Sequence, residues 1–89
     1  MPESRVIIPN ELGLHARAAA RLVERANGFE SEVRLSYRDR TVNGKSIMGV
    51  LMLAAARGAE LLIATEGPDE KAALTSLQTL VEDGFGELT

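Results

Sequence analysis

The chain contains no cysteine, no tryptophan and a single histidine. Without cysteine there are no disulfides, no thiol nucleophile and no thiolate metal site. A reducing compartment suits such a chain. One histidine is too few for a multi-histidine metal site. Only two phenylalanines and one tyrosine are present, so the core must be built mostly from Leu, Ile, Val and Ala. No apolar run approaches the roughly 20 residues of a membrane helix. Met1 to Ile8 carries one Arg and too short an apolar stretch for a secretory leader. The net charge of −3 argues against general nucleic-acid affinity, which rests on an excess of Lys and Arg meeting phosphates. A cytoplasmic protein without membrane insertion or nucleic-acid partner is the expectation.

What is present is enough for one small domain spanning 1–89. Its 45% apolar content supports a core, although a chain this short buries only about 60% of its unfolded surface. Arg5 to Ile8 reads as a short buried strand that Pro9 and Asn10 end. A loop from Pro9 to Leu14 follows. The spacing of Ala19, Leu22, Val23 and Ala26 predicts a helix over Ala16 to Ala26, with Arg17, Arg21 and Arg25 on another face and Asn27-Gly28 as its stop. Glu32 to Tyr37 alternates, with Val33, Leu35 and Tyr37 on one side. Arg38 and Asp39 make a tight turn into a second strand, Arg40 to Val42, and Asn43-Gly44 breaks the chain.

Ser46 is a good N-cap for a short helix over Ile47 to Leu53, in which Gly49 costs about 1 kcal/mol relative to Ala. Leu61 to Ala64 is a fourth strand, apolar on both faces. Asp69, after the Gly67-Pro68 turn, is a candidate N-cap for a last helix over Glu70 to Asp83. That helix buries Ala73, Leu74, Leu77, Leu80 and Val81 and closes at Gly84. The order β-α-β-β-α-β-α implies one sheet with helices packed on one face.

The chemistry concentrates at Gly13-Leu14-His15-Ala16-Arg17. A lone histidine in an arbitrary domain is commonly idle. This one follows a Gly-containing loop and stands at or just before a helix start, beside unpaired backbone N–H groups and the positive end of a helix dipole. Such a place favours a phosphoryl group. An ordinary imidazole is largely neutral and nucleophilic near neutral pH. Arg17 read alone is a solvated helix charge. Beside His15 its planar donor fork suits phosphate oxygens. Gly44-Lys45-Ser46 has the ending of a phosphate-binding P-loop, but that pattern needs Gly where Asp39 stands, which excludes nucleotide binding. Ile47, Met48, Leu51 and Met52 form an apolar cluster beside Ser46. A short helix cannot hide both its sides, so Met48 and Ile47 should be exposed. Flexible Met suits a surface that meets several partners in turn, and Ala16, Ala20 and Arg17 would complete a docking patch.

Gly13-Leu14-His15-Ala16-Arg17 resembles the active-site motif of the HPr family, the histidine phosphocarriers of the bacterial phosphoenolpyruvate-dependent phosphotransferase system. A second family motif stands at Asn43-Gly44-Lys45-Ser46-Ile47-Met48-Gly49-Val50-Leu51-Met52-Leu53-Ala54, and the last helix with Gly84 also matches. The resemblance covers essentially the whole chain. It implies an α+β, open-faced β-sandwich of four antiparallel strands covered on one face by three helices. It implies that Enzyme I donates a phosphoryl group to Nδ1 of His15, and that an enzyme II A-type component receives it. The carrier would form a covalent phosphohistidine, complete no turnover alone, need no cofactor or metal, and act as a monomer. Arg17 matches the arginine that helps bind and release the group. Ser46 matches a regulatory serine that an HPr kinase/phosphorylase modifies in some bacteria. Family members usually have Pro after the arginine; this chain has Ala18, as the nitrogen-related regulatory branch does. Many members carry basic residues at the positions of Glu24 and Asn27, so Arg21 and Arg25 would supply the positive edge for partners. Two further readings stand beside the carrier: a non-catalytic regulatory module controlled through Ser46 with His15 idle, and a plain structural α+β domain.

Overall fold

A computed structural model of the chain describes residues 2–87. Four strands and three α-helices follow one another as β1 (Glu3–Ile7), α1 (Ala16–Asn27), β2 (Glu32–Tyr37), β3 (Arg40–Asn43), α2 (Ile47–Met52), β4 (Glu60–Glu66) and α3 (Glu70–Glu82), with a 3-10 turn at Gly84–Gly86 after them. The sheet is antiparallel throughout, in the order β1-β4-β2-β3. Because side chains alternate across a strand, Val6, Val33, Leu35, Leu61, Ile63 and Thr65 all face the helices and are buried. Glu32, Arg34 and Glu66 lie on the open side. The inward residues meet Ala18, Ala19, Leu22, Val23 and Ala26 of α1, Val50 of α2, and Leu77 and Val81 of α3. This is the expected α+β open-faced sandwich, and no helix among the described residues is long and apolar enough to cross a membrane.

The differences from the sequence expectations are local. β1 starts two residues earlier than expected and ends at Ile7, which is exposed. Val6 and Ile8 are the buried pair, as the two-residue period of a strand demands. Ile8 holds the sheet edge from just outside the strand, bonding Ala59 and Gly58 through its backbone. β4 is longer than the apolar stretch Leu61 to Ala64. Antiparallel pairing with both β1 and β2 extends it over the polar residues Glu60, Thr65 and Glu66. α2 ends at Met52 rather than Leu53, and Leu74 and Tyr37 are half-buried at the edge of the core rather than inside it.

Asp69 stands at the expected N-cap position of α3 but does not do a cap's work. Its carboxylate caps nothing in α3. It accepts instead from the Ser31 hydroxyl at 2.5 Å and from the backbone N–H groups of Ser31 and Glu30 at 2.9 and 3.0 Å, pinning the loop between α1 and β2 to the start of α3. The Ser31 hydroxyl and these two amides stabilise its charged form and take its pKa from the ordinary 3.8 to about 2.

Candidate functional site

His15 is the N-cap of α1, in extended backbone geometry. Its Nδ1 accepts the backbone N–H of Arg17 at 3.4 Å, so the imidazole stands where a Ser or Asp oxygen usually stands and satisfies one of the helix's orphan donors. The loop ahead of it is set by Gly13. There φ is +64°, a region favouring glycine, and a Cβ would fall 2.7 Å from the Ala55 carbonyl oxygen and 2.8 Å from the Ala56 Cα. The Leu14 N–H bonds that same carbonyl, and the Leu14 side chain is buried. His15 is thus carried out of the core on a short, fixed loop. Its side chain keeps 25% of its surface exposed.

The other ring nitrogen meets a residue that the sequence reading missed. His15 Nε2 lies 2.7 Å from Oε2 of Glu87. The other oxygen of that carboxylate accepts from the Asn10 amide at 3.1 Å, and Asn10 also donates to the Gly13 carbonyl at 2.9 Å. Arg17 Nη1 is 3.9 Å from Glu87 Oε2, with the Arg17 side chain mostly exposed. The burial of the Glu87 carboxyl works to raise its pKa. The hydrogen bonds from His15 and Asn10, with the charges of His15 and Arg17, outweigh burial and hold it below the usual carboxylate range.

Glu87 arrives there because of the turn after α3. Gly84, Phe85 and Gly86 have φ values of 65°, 59° and 77°, so the chain curls back in three consecutive left-handed residues. The Phe85 side chain is fully buried, and the Arg21 guanidinium donates to the Phe85 carbonyl. A Gly-Phe-Gly segment with one large apolar side chain is the only sequence trace of this anchor. Nothing in it announces that the following Glu returns to the histidine.

Ser46 caps α2 as expected, its Oγ accepting the Gly49 N–H at 3.1 Å. Its hydrogen bonds run to Asn43, Gly49 and Val50. The Lys45 amine donates to the Phe29 carbonyl at 2.7 Å, which ties that loop to the end of α1. Ile47, Met48 and Met52 are exposed together with Leu12, and Ala16 and Ala20 are exposed on α1, which packs against α2. Leu51, expected on the docking patch, is half-buried against the core. A two-turn helix must anchor itself, and Leu51 does so beside Val50. Arg21 and Arg25, expected to supply a positive edge, are exposed and also hydrogen-bonded: Arg21 to the Phe85 carbonyl, Arg25 to Ser76 Oγ at 3.0 Å.

The family model described as the PTS HPr component phosphorylation site matches residues 2–83. The chain is 50% identical over 80 residues to the phosphocarrier protein HPr of Cupriavidus necator, covering 90% of each chain. It is 46% identical over 89 residues to that of Xylella fastidiosa, covering 100% of each. The crystal structure of HPr-C-His from Thermoanaerobacter tengcongensis superimposes with a TM-score of 0.96 at 39% identity, covering 100% of both chains. A small open-faced sandwich that presents one histidine at a helix start, with these relatives, defines the class: the chain belongs to the HPr family of phosphocarriers of the phosphotransferase system.

Proposed function

We propose that this chain carries a phosphoryl group on Nδ1 of His15. The observation that supports this most is the division of labour between the two ring nitrogens. Nε2 faces the Glu87 carboxylate, where an anionic phosphoryl group would be repelled. Nδ1 faces the amide end of α1 and the Arg17 backbone N–H, where a phosphoryl dianion is favoured. Arg17, exposed and only loosely held by Glu87, is free to turn its guanidinium to the phosphoryl oxygens. Transfer of this kind rests on positioning and charge stabilisation rather than on covalent work by the protein.

The donor in this reading is phospho-Enzyme I and the acceptor is an enzyme II A-type component, both in the cytoplasm, met by a monomeric carrier. The exposed Ile47 and Met48, with Ala16 and Ala20, form the docking face. Contacts there are small and transient, since a carrier must release each partner. Ser46 at the border of that face is the regulatory phosphosite, for an HPr kinase/phosphorylase where the host has one. A phosphate at this cap is compatible with the helix start and acts by altered docking rather than by unfolding. The fully buried Ala18, where most of the family has Pro, favours a nitrogen-related regulatory acceptor as the second reading.

Incubation with labelled phosphoenolpyruvate and Enzyme I tests the central claim. One equivalent of acid-labile label on His15 is expected, and no incorporation would refute it. Competition between II A-type acceptors of the sugar and nitrogen branches then decides the pathway.

A further inference from the structure

The contact between Glu87 and His15 lies outside the apolar core that joins sheet and helices. Both side chains sit at its rim, and the carboxylate is delivered by a purpose-shaped turn rather than by a regular element. Three donors converge on it: the Asn10 amide, itself buried and bonded to the Gly13 carbonyl, the His15 ring, and the Arg17 guanidinium at longer range. The Glu87 side chain is only 7% exposed. A surface carboxylate left to itself would be solvated. This one is buried and aimed at one nitrogen of the imidazole.

We propose that Glu87 is a positioning residue for phosphoryl transfer, holding His15 in the Nε2–H tautomer with Nδ1 presented as the free nucleophile. The inference rests on the carrier reading above and goes beyond it. The hydrogen bond made by one ring nitrogen decides which nitrogen keeps the proton. An ionised carboxylate 2.7 Å away can only accept, so the ring hydrogen belongs on Nε2. Nδ1 then has a lone pair, and its acceptance of the Arg17 N–H agrees with that.

The step balances without a further reactant. The Nδ1 lone pair forms the new N–P bond while the N–P bond of the phosphohistidine donor breaks, its electron pair returning to the donor ring. The Nε2 proton stays in place, and the ring becomes cationic as it acquires the second substituent. Glu87 faces that developing charge, and Arg17 faces the phosphoryl oxygens. On transfer to the acceptor the same events run in reverse. Among the described residues, the charged groups facing the ring are Glu87 and Arg17, with Arg57, Glu82 and Asp83 lining the cleft beside Glu87.

The test uses the full chain and two substitutions, Glu87→Ala and Glu87→Gln, each checked for folding by its circular dichroism spectrum. The first readout is the 15N spectrum of the His15 ring at about pH 9, where an imidazole is neutral. The second is the initial rate of label uptake from phospho-Enzyme I. The wild-type ring is expected to be almost wholly the Nε2–H tautomer. Glu87→Ala returns the ring to the mixture seen for free histidine and slows uptake about tenfold, the effect of losing one hydrogen bond to a charged partner. Glu87→Gln keeps an acceptor, so it retains the tautomer and loses only part of the rate. A wild-type tautomer and wild-type rate in Glu87→Ala would overturn the proposal, as would a slowed variant whose ring spectrum is unchanged. The two claims fail separately. Absence of label in the wild type sinks the carrier reading, whereas a labelled wild type with an indifferent Glu87→Ala sinks only the role of Glu87.

Discussion

Two helix starts in this molecule share a geometry and differ in everything that surrounds it. His15 and Ser46 are both N-caps in extended backbone conformation, each accepting one amide of the helix that follows. The Ser46 cap is self-contained: its bonds stay within its own loop and helix. The His15 cap is supported from three directions, by the Gly13 loop, by Asn10 and by the Glu87 carboxylate returned from the far end of the chain. Imidazole is not a favoured cap. A protein that wanted only a stable α1 would have Ser or Asp there, as α2 does. The supports around His15 fix the ring, whereas the contacts of Ser46 stay with its own loop and helix.

The comparison breaks most sharply if His15 is removed. His15→Ala should eliminate acid-labile label entirely while the domain stays folded, and residual label would place the phosphoryl group elsewhere. Gly13→Ala strikes the support instead of the ring. The left-handed φ and the contact with the Ala55 carbonyl should cost about 2 kcal/mol or more and displace His15. Thermal unfolding unchanged by that substitution would show the loop to be softer than it looks.

Arg17→Ala leaves the cap intact, because the backbone N–H remains. It should slow transfer about tenfold, as for loss of a charge-assisted contact, without lowering the melting temperature; single-turnover kinetics with phospho-Enzyme I checks this. At the other helix, Ser46→Ala should cost about 1 kcal/mol, seen as a fall of roughly 5 °C in a domain of this size, and leave transfer near wild type. A large transfer defect with no loss of stability would reverse the contrast drawn here.

The third helix start sharpens the comparison in the smallest way. Asp69 occupies the cap position of α3 and gives its carboxylate to the amides and hydroxyl of the neighbouring loop. Its folded pKa of about 2 lies below the ordinary 3.8. Its stabilising contribution is therefore full above about pH 4 and lost as the pH falls toward 2. Glu87 is shifted in the same direction and adds to the same acid limb. Asp69→Asn should flatten the loss of stability between about pH 4 and 2; an acid limb of unchanged slope would assign it to other carboxylates.

The sequence was legible wherever one element could speak for itself. The periodicity of Ala19, Leu22, Val23 and Ala26, the alternation of Val33 and Leu35, and the cap of Ser46 each depend on neighbours within a few residues. His15 at a helix start was legible for the same reason. Asp69 stands at the expected cap position, but its carboxylate turns to a loop 38 residues away in sequence, which offers better donors. Leu51 is half-buried against the core, and a short helix does not declare in its sequence which of its apolar residues anchors it. Arg21 was expected on a positive edge for partners, and the sequence did not show that it also donates to a carbonyl that approaches only after the chain has turned at Phe85.

From the sequence alone came the strand and helix order, a single sheet with helices on one face, and the imidazole beside an arginine at the head of α1, because hydrophobic period and capping chemistry are local properties. Only the folded chain decided that a carboxylate 72 residues downstream closes on that imidazole. Such a contact needs Phe85 buried, three left-handed residues in a row and Asn10 fixed against Gly13, and each of these is satisfied only when the whole core has formed.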